Sequence, residues 1–438
     1  MPIELQSLPF DPADAKAALA QLPAKPAVFA LHGTEERDEP YIGRTPNLRA
    51  RLERLLQPSP KHPRRLQLAG RVRRIAWRLT GSEFESLLAQ FSLLEGIYGA
   101  KALERMHLRS PAFVRFLGGN PYPRITVTHR PSLREADWSY GPFPSRTAAE
   151  RFGEEALKLF LLRRCTEDLE PDPRHPGCIY SEMKMCLAPC YKGCSDERYA
   201  EEAAGVESFL ATRGESRLVV LRAERDQASA NLEFESAAAL HAQVQRAESV
   251  RALASELVRP LSQLRAVILQ AGANLDEVEV FVFENGMLRG PAPYSTLGMR
   301  IQNEQSGSSS LFAHPMALEP IPEAPIPEPP IPGAPTSPPF VSAEAVTAPI
   351  PATAVKTARG RLEARMETAL AALETERIPN ATVRQAHLAL LKRWYYRPEG
   401  QRSGEIFFPD ADGRWPVKAM LRGVGRVAAR MLASADRP

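Results

Sequence analysis

No stretch of this chain approaches the roughly 20 consecutive apolar residues that cross a bilayer, which argues against a membrane-spanning class. Met1 to Phe10 lacks a basic region followed by an apolar run. The expectation is therefore a cytoplasmic protein without a secretory segment. Cysteine is missing from the whole chain outside Cys165 to Cys194, and acids are nearly missing from Arg44 to Arg78, where eleven Lys or Arg meet only Glu53. The overall charge of +4 is thus unevenly spread, and the local excess can attract a polyanion. With 438 residues, 44% of them hydrophobic, the chain is globular and too long for one ordinary core.

What cysteine there is has a pattern. Five residues spaced C-x12-C-x7-C-x3-C-x3-C fall within thirty positions, and thiolates concentrated on one short segment can converge on a soft metal centre, Zn or an iron-sulfur cluster. An odd count disfavours disulfides, and buried small hydrophobes would be scattered along the chain. The C-x12-C spacing exceeds the C-x2-C knuckles common in zinc fingers, which tilts the reading toward the cluster.

The first hundred residues alternate short apolar runs with basic helical ones. Ala27 to Leu31 reads as a buried strand, Tyr41 to Gly43 as its hairpin partner, and Asn47 to Leu56 as a helix with Leu48, Leu52 and Leu55 on one face. A strand at Val72 to Leu79 precedes a helix opened by Ser82 and Glu85 in a capping-box spacing. The order β-β-α-β-α describes a small α/β domain. Leu218 to Leu257 is helical, with stripes at Leu218, Leu221, Ala228 and Leu232 and at Phe234, Ala237, Ala238, Val244 and Ala247. Two strands are expected at Arg265 to Leu269 and Val278 to Val282. Thirteen prolines between Pro315 and Pro351 then favour an extended linker over a packed core. Beyond it, helices are expected at Thr357 to Glu376 and Ala386 to Tyr396, with brief strands at Ile406 to Phe408 and Trp415 to Val417. Trp394, Tyr395 and Tyr396 could stack on bases or fill a core, and core filling is the expectation.

The run Leu22-Pro-Ala-Lys-Pro-Ala-Val-Phe-Ala-Leu31, followed by Tyr41-Ile-Gly-Arg-Thr-Pro-Asn-Leu-Arg-Ala-Arg51, resembles the GIY-YIG nuclease domain as it occurs in the UvrC family of bacterial nucleotide excision repair. Later landmarks agree in order: Tyr122-Pro123-Arg-Ile-Thr-Val, Gly141-Pro-Phe-Pro144, the cysteines with Ala188-Pro-Cys190, and Asn231-Leu-Glu-Phe-Glu-Ser-Ala-Ala238, similar to a UVR motif. The resemblance covers about Leu22 to Val258. It implies an α+β multidomain protein: a GIY-YIG-like domain at 1–105, a connecting region with the cysteine cluster at 106–200, a UVR-like helical hairpin at 201–258, a β segment resembling the lead-in to the family's RNase H-like domain at 259–312, the proline-rich linker at 313–355 and a basic segment at 356–438.

The same resemblance assigns residues. Hydrolysing a phosphodiester needs an activated water, a divalent cation and a cationic group on the phosphate. Tyr41, Arg44 and Arg51 match the family's second tyrosine, its basic residue and its helix arginine. Phe29 stands where the first tyrosine belongs and Gln90 where the metal-binding glutamate belongs, and an amide binds a hard cation poorly. Phe113 replaces a polar asparagine. Glu85 and Glu95 flank Gln90 at i±5, about 140° around the helix, so neither substitutes for it. Asp410, Asp412 and His387 read as turn and surface groups, so no intact second nuclease is expected.

The resemblance further implies a 4Fe-4S cluster on Cys165, Cys178, Cys186 and Cys190, with Zn as the alternative and Cys194 spare. Arg163, Arg164, Arg174, Lys184 and Lys192 would surround it as a basic surface. Leu232, Glu233, Phe234 and Glu235 would meet UvrB or a UvrB-like partner, with Phe234 the apolar anchor. DNA phosphates would be met by Arg44, Arg49, Arg51, Arg54, Arg64, Arg65, Arg71, Arg73 and Arg74. The expected function is a UvrC-like DNA-binding protein with an inactive GIY-YIG site. The alternative is an active GIY-YIG endonuclease, dependent on Mg or Mn, making one incision at damaged or structured DNA. An interaction scaffold without a DNA role is a third possibility.

Overall fold

The computed structural model describes residues 4–34, 39–56, 68, 70–299, 352–374 and 380–435. Arg64, Arg65 and most of the proline-rich stretch lie outside the described residues. The architecture is mixed α+β, with three four-stranded sheets among the described residues.

The first sheet has the order β1-β4-β2-β3, from β1 (Gln6–Pro9), β2 (Ala27–His32), β3 (Tyr41–Thr45) and β4 (Arg74–Leu79). The helices α1 (Ala15–Ala20) and α2 (Leu48–Leu56) cover one face. The strand β2 is apolar without alternation because it is an inner strand, buried from Ala27 to Leu31. The helix α2 buries Leu48, Leu52 and Leu56 at i, i+4 and i+8, so Leu56 takes the core position expected of Leu55. The helices α3 (Glu83–Tyr98) and α4 (Ala102–Arg105) follow. Ser82 caps α3 by accepting the Glu85 N–H at 3.1 Å, but the Glu85 carboxylate takes the Gly81 N–H at 2.8 Å instead of closing the box on Ser82. From Phe84 to Ala89, α3 is buried on every face, as a helix shared between two cores must be.

The second sheet, β6-β5-β7-β8, comprises β5 (Ala112–Phe116), β6 (Ile125–Thr128), β7 (Ser139–Phe143) and β8 (Arg259–Pro260). Its core is closed by α5 (Arg146–Leu157) and, beyond the short α6 (Ile179–Glu182), by α7 (Asp196–Ala211) through Tyr199, Val206 and Phe209. The helices α8 (Glu215–Ala230) and α9 (Phe234–Ala252) then form an antiparallel hairpin, turned at 231–233 with Leu232 in the left-handed region.

The third sheet, β11-β10-β9-β12, is covered on both faces. It is built from β9 (Ala266–Ala271), β10 (Glu277–Glu284), β11 (Met287–Ser295) and β12 (Glu405–Phe407), with α10 (Ala352–Ala371), α11 (Ala381–Tyr395) and α12 (Val417–Ala435). Alternate residues of β10 divide between the layers: Phe281 and Phe283 pack toward α3 and α11, Val278, Val280 and Val282 toward α10 and α12. The pairing of β12 with β9, Ile406 opposite Ile268, joins the segment after the proline-rich stretch to the one before it. Two regions that the sequence reading separates therefore share one sheet. Trp415 to Val417 is not a strand, because α12 begins at Val417. Trp394 is buried against Phe84, and the Tyr396 hydroxyl donates to the Pro142 carbonyl at 2.8 Å, so these aromatics fill seams between units. Among the described residues no helix is long and apolar enough to cross a membrane.

Candidate functional site

The two strands carrying the YIG-like motif pair with Phe29 opposite Gly43. A side chain at Gly43 would place its Cβ 2.7 Å from Phe29 Cζ, so the ring of Phe29 itself makes glycine necessary there. Phe29 is fully buried, and its ring centre lies 6.1 Å from that of Tyr41. Both face the core beneath α1 and α2. Arg44, three residues along β3 from Tyr41, leaves the opposite face and reaches α3, where its Nη1 stands 3.3 Å from Glu83 Oε1. The sheet thus separates Phe29 and Tyr41 from Arg44. Arg51 and Gln90 are half-buried, and their side chains make no hydrogen bond or ion pair among the described residues.

Glu83 also receives both terminal nitrogens of Arg397 at 2.8 Å. The Arg397 hydrogen bond, aided by the Arg397, Arg44 and Arg393 charges, holds its carboxyl below the ordinary range. Deeper in the seam, Glu85 lies 3.8 Å from Arg78 and is pushed up by burial. Beside it, Glu279 of β10 is buried with Oε2 unpartnered, and burial plus the Glu85 charge raise it to about 7. The sequence reading missed this acid pair. The signal available was a glutamate inside the otherwise apolar run Val278 to Phe283. His387, read as a surface group, is buried. Its Nδ1 accepts the Leu288 N–H at 2.9 Å, and burial lowers its pKa to about 3. Asp410 is the turn group expected, taking the Asp412 and Arg414 amides. Phe113 is wholly buried against Gly141.

Of the arginines assigned to phosphates, Arg71, Arg73 and Arg74 are exposed around the start of β4. Arg54 is exposed on α2 with its Nε on the Ala50 carbonyl, and Arg49 donates to the Leu22 carbonyl at 2.7 Å, which anchors α2. His32 is lowered by burial and by the Arg74 charge.

The cysteine loop is held by local bonds. The Cys178 N–H donates to Ser181 Oγ and the Asp172 N–H to the Cys190 carbonyl, both at 3.0 Å. Ala188 and Lys192, on either side of a short turn at Pro189–Tyr191, are left-handed. Burial pushes the Cys186 and Cys190 thiols up, and both also feel the charges of Cys178 and Cys165. Cys194 instead feels Asp196 and Arg198 and stands apart from the four. Among the described residues no three His, Cys, Asp or Glu side chains close on a common metal position. The donor chemistry nevertheless fits a soft metal: four thiols on one loop near enough to influence one another. Arg163 does lie beside them, its Nη1 donating to Cys165 Sγ at 3.5 Å, but as a buried group and not as exposed surface charge. It is buried, donating to the carbonyls of Tyr122 at 2.9 Å and Glu167 at 2.7 Å, while Arg164 donates to the Leu157 carbonyl.

At the hairpin, Leu218, Leu221, Val244 and Ala247 bury the base, whereas Leu232 and Phe234 at the tip are 72% and 67% exposed. Glu233 and Glu235 are exposed beside them. The two sequence stripes therefore meet along the hairpin up to Ala228 but leave its tip bare.

Residues 114–209, from β5 through α7 and including all the cysteines, match the family model for the UvrC/Cho excinuclease, middle domain. The chain is 29% identical to the UvrABC system protein C of Alcanivorax borkumensis over 283 residues, 64% of this chain and 45% of the relative. It is 28% identical to that of Carboxydothermus hydrogenoformans over 278 residues, 63% and 45% of the two chains, and 29% identical to that of Pseudomonas protegens over 234 residues, 53% and 38%. The matched region thus spans less than half the length of these relatives. No solved structure matches the chain.

Proposed function

We propose, from the premise that this chain belongs to the UvrC family, that it is a DNA-binding protein of nucleotide excision repair whose GIY-YIG site does not cut. Two residues carry the reading, each lacking the reactive group that the resemblance calls for at its position. Phe29 is buried without a hydroxyl, and Gln90 offers an amide where a hard cation needs a carboxylate. Neighbouring acids do not make up the loss: Glu83 is clasped by two guanidiniums, and Glu85 is buried on the Gly81 amide. These features disfavour the alternative, a single-incision endonuclease using Mg or Mn.

Arg71, Arg73 and Arg74, with Arg51 and Arg54 of α2, supply a cationic surface for phosphates. Cys165, Cys178, Cys186 and Cys190 would hold a 4Fe-4S cluster, or Zn in its place. When bound, that group would supply a rigid, charge-bearing centre for the loop, and the short turns around Ala188 and Lys192 would set the thiols toward it. Leu232 and Phe234, apolar and bare between two acids, would dock UvrB or a UvrB-like protein, helix against helix.

The test is a fluorescence-anisotropy titration of labelled duplex DNA with and without Mg2+. The reading expects affinity that falls steeply with KCl and is indifferent to EDTA. Binding that requires the divalent cation would contradict it.

A further inference from the structure

We infer that α12 is a second, independent docking surface for duplex DNA, laid along the backbone of one strand. Lys418, Arg422, Arg426 and Arg430 recur every fourth residue, and all four are exposed. Residues at i+4 climb about 6 Å per step, close to the step between successive phosphates of one strand. They form a continuous ridge inclined roughly 26° to the helix axis. Nothing acidic lies within the helix, Val417 to Ala435.

A carboxylate of β12 orients the last two cations of the ridge. Glu405 of β12, with only 14% of its side chain exposed, receives Arg426 at 2.8 and 2.5 Å and Arg430 at 2.7 Å. A carboxylate placed between two guanidiniums fixes their direction. Lys418 and Arg422 have no ion pair among the described residues. The helix is brought close to β12 by Gly423, where an added Cβ would stand 2.5 Å from Phe407 Cζ and 2.9 Å from Glu405 Oε2. The glycine is what lets Glu405 reach across to the ridge.

The ligand follows from what the helix offers and what it withholds. Its apolar side, Met420, Val424, Val427, Ala428 and Met431, is committed to the core of the third sheet. No apolar face remains to enter a lipid headgroup layer. The ridge carries no aromatic on which an unpaired base could stack. Trp415, just before the helix, has the Arg265 guanidinium 5.0 Å above its ring. Cations without stacking groups, three of them guanidiniums suited to bidentate phosphate contacts, fit the backbone of a duplex without reading its sequence. The surface shares with the function proposed above only the premise of a DNA ligand and uses none of the same residues.

The experiment is anisotropy with the full chain, a labelled duplex and the corresponding single strand, over 50–200 mM KCl, comparing wild type with Lys418→Ala/Arg422→Ala and, separately, Arg71→Ala/Arg73→Ala. Removing two phosphate contacts on α12 should weaken duplex binding about five- to tenfold at mid-range salt and lower the salt slope by about 1.8. Lys418→Arg/Arg422→Lys should bind as wild type does. Both alanine positions are exposed and unpaired, so an unchanged melting curve will report an intact fold. If the α12 variant binds with unaltered affinity and slope while the Arg71/Arg73 variant weakens, this surface is refuted and the DNA-binding function stands. If wild type binds no duplex, both fall. A loss confined to the single strand, or capture by phosphatidylserine vesicles with no duplex binding, also overturns the assignment.

Discussion

Arg397 holds Glu83 with both terminal guanidinium nitrogens at 2.8 Å, across 314 residues of sequence. The same carboxylate meets Arg44, so one acid at the start of α3 neutralises the YIG-side arginine and fastens the third unit to the first. Substituting Glu83→Gln should cost about 1 kcal/mol of stability, the scale of a half-exposed charged network. By releasing Arg44 it should also tighten duplex binding about threefold at low salt. Thermal melts and a salt-dependent binding series measure the two effects. Because the native pairing depresses the Glu83 carboxyl, its contribution to stability is present above the ordinary carboxylate range and is lost as pH falls through its lowered value.

Two buried groups oppose each other in pH. Glu279 rises from 4.5 in the ordinary state to about 7 in the fold, so its ionisation destabilises the protein progressively between those values and fully above them. His387 falls from 6.5 to about 3, so its buried neutral ring is destabilising as pH drops below 6.5. Glu279→Gln should raise the melting temperature at pH 8 and leave it nearly unchanged at pH 4.5. Melting curves at the two pH values check this, and an equal shift at both would contradict the assignment.

At the hairpin tip, Leu232→Ser/Phe234→Ser removes only exposed surface and should change stability by less than about 0.5 kcal/mol. The proposed docking of UvrB at the tip predicts a calorimetric binding signal for wild type that this variant loses. A basal change, Leu221→Ala, should do the reverse, costing about 2–5 kcal/mol of stability because its side chain is buried in the small core between α8 and α9.

The proposed cluster predicts that metal content differs among variants of the five cysteines. In anaerobically purified protein, Cys186→Ser or Cys165→Ser should lower bound iron and sulfide, or zinc, to near background. Cys194→Ser should retain the wild-type content, because Cys194 belongs with Asp196 and Arg198. Elemental analysis and the visible spectrum report the result.

Much of the first unit was legible in the sequence because local rules decide it. An inner strand shows as the unbroken apolar run at Ala27 to Leu31, the Leu48 and Leu52 stripe marks α2, and Ser82 announces α3. The third unit was not legible as one body. Its fourth strand is three residues long, and its pairing of Ile406 with Ile268 spans the proline-rich stretch, beyond any local pattern. Arg163 looked like surface charge from its neighbours in sequence. Its burial is explained by carbonyls of Tyr122 and Glu167, the first 41 residues away. Phe29 and Gln90, where the resemblance calls for a tyrosine and a glutamate, are read from position alone. The split of Arg44 from Tyr41 by the sheet follows from strand parity and could have been read the same way.

The role proposed for this protein is to hold DNA without cutting it. The most direct measurement is nicking of supercoiled and damaged duplex DNA in Mg2+ and Mn2+ by wild type, Gln90→Glu and Arg51→Ala proteins at concentrations where each binds. Intact plasmid is expected from the wild type at full occupancy, with any cutting confined to Gln90→Glu, which supplies the carboxylate. Metal-dependent nicks from the wild type that vanish in Arg51→Ala would contradict it and identify a working single-site nuclease.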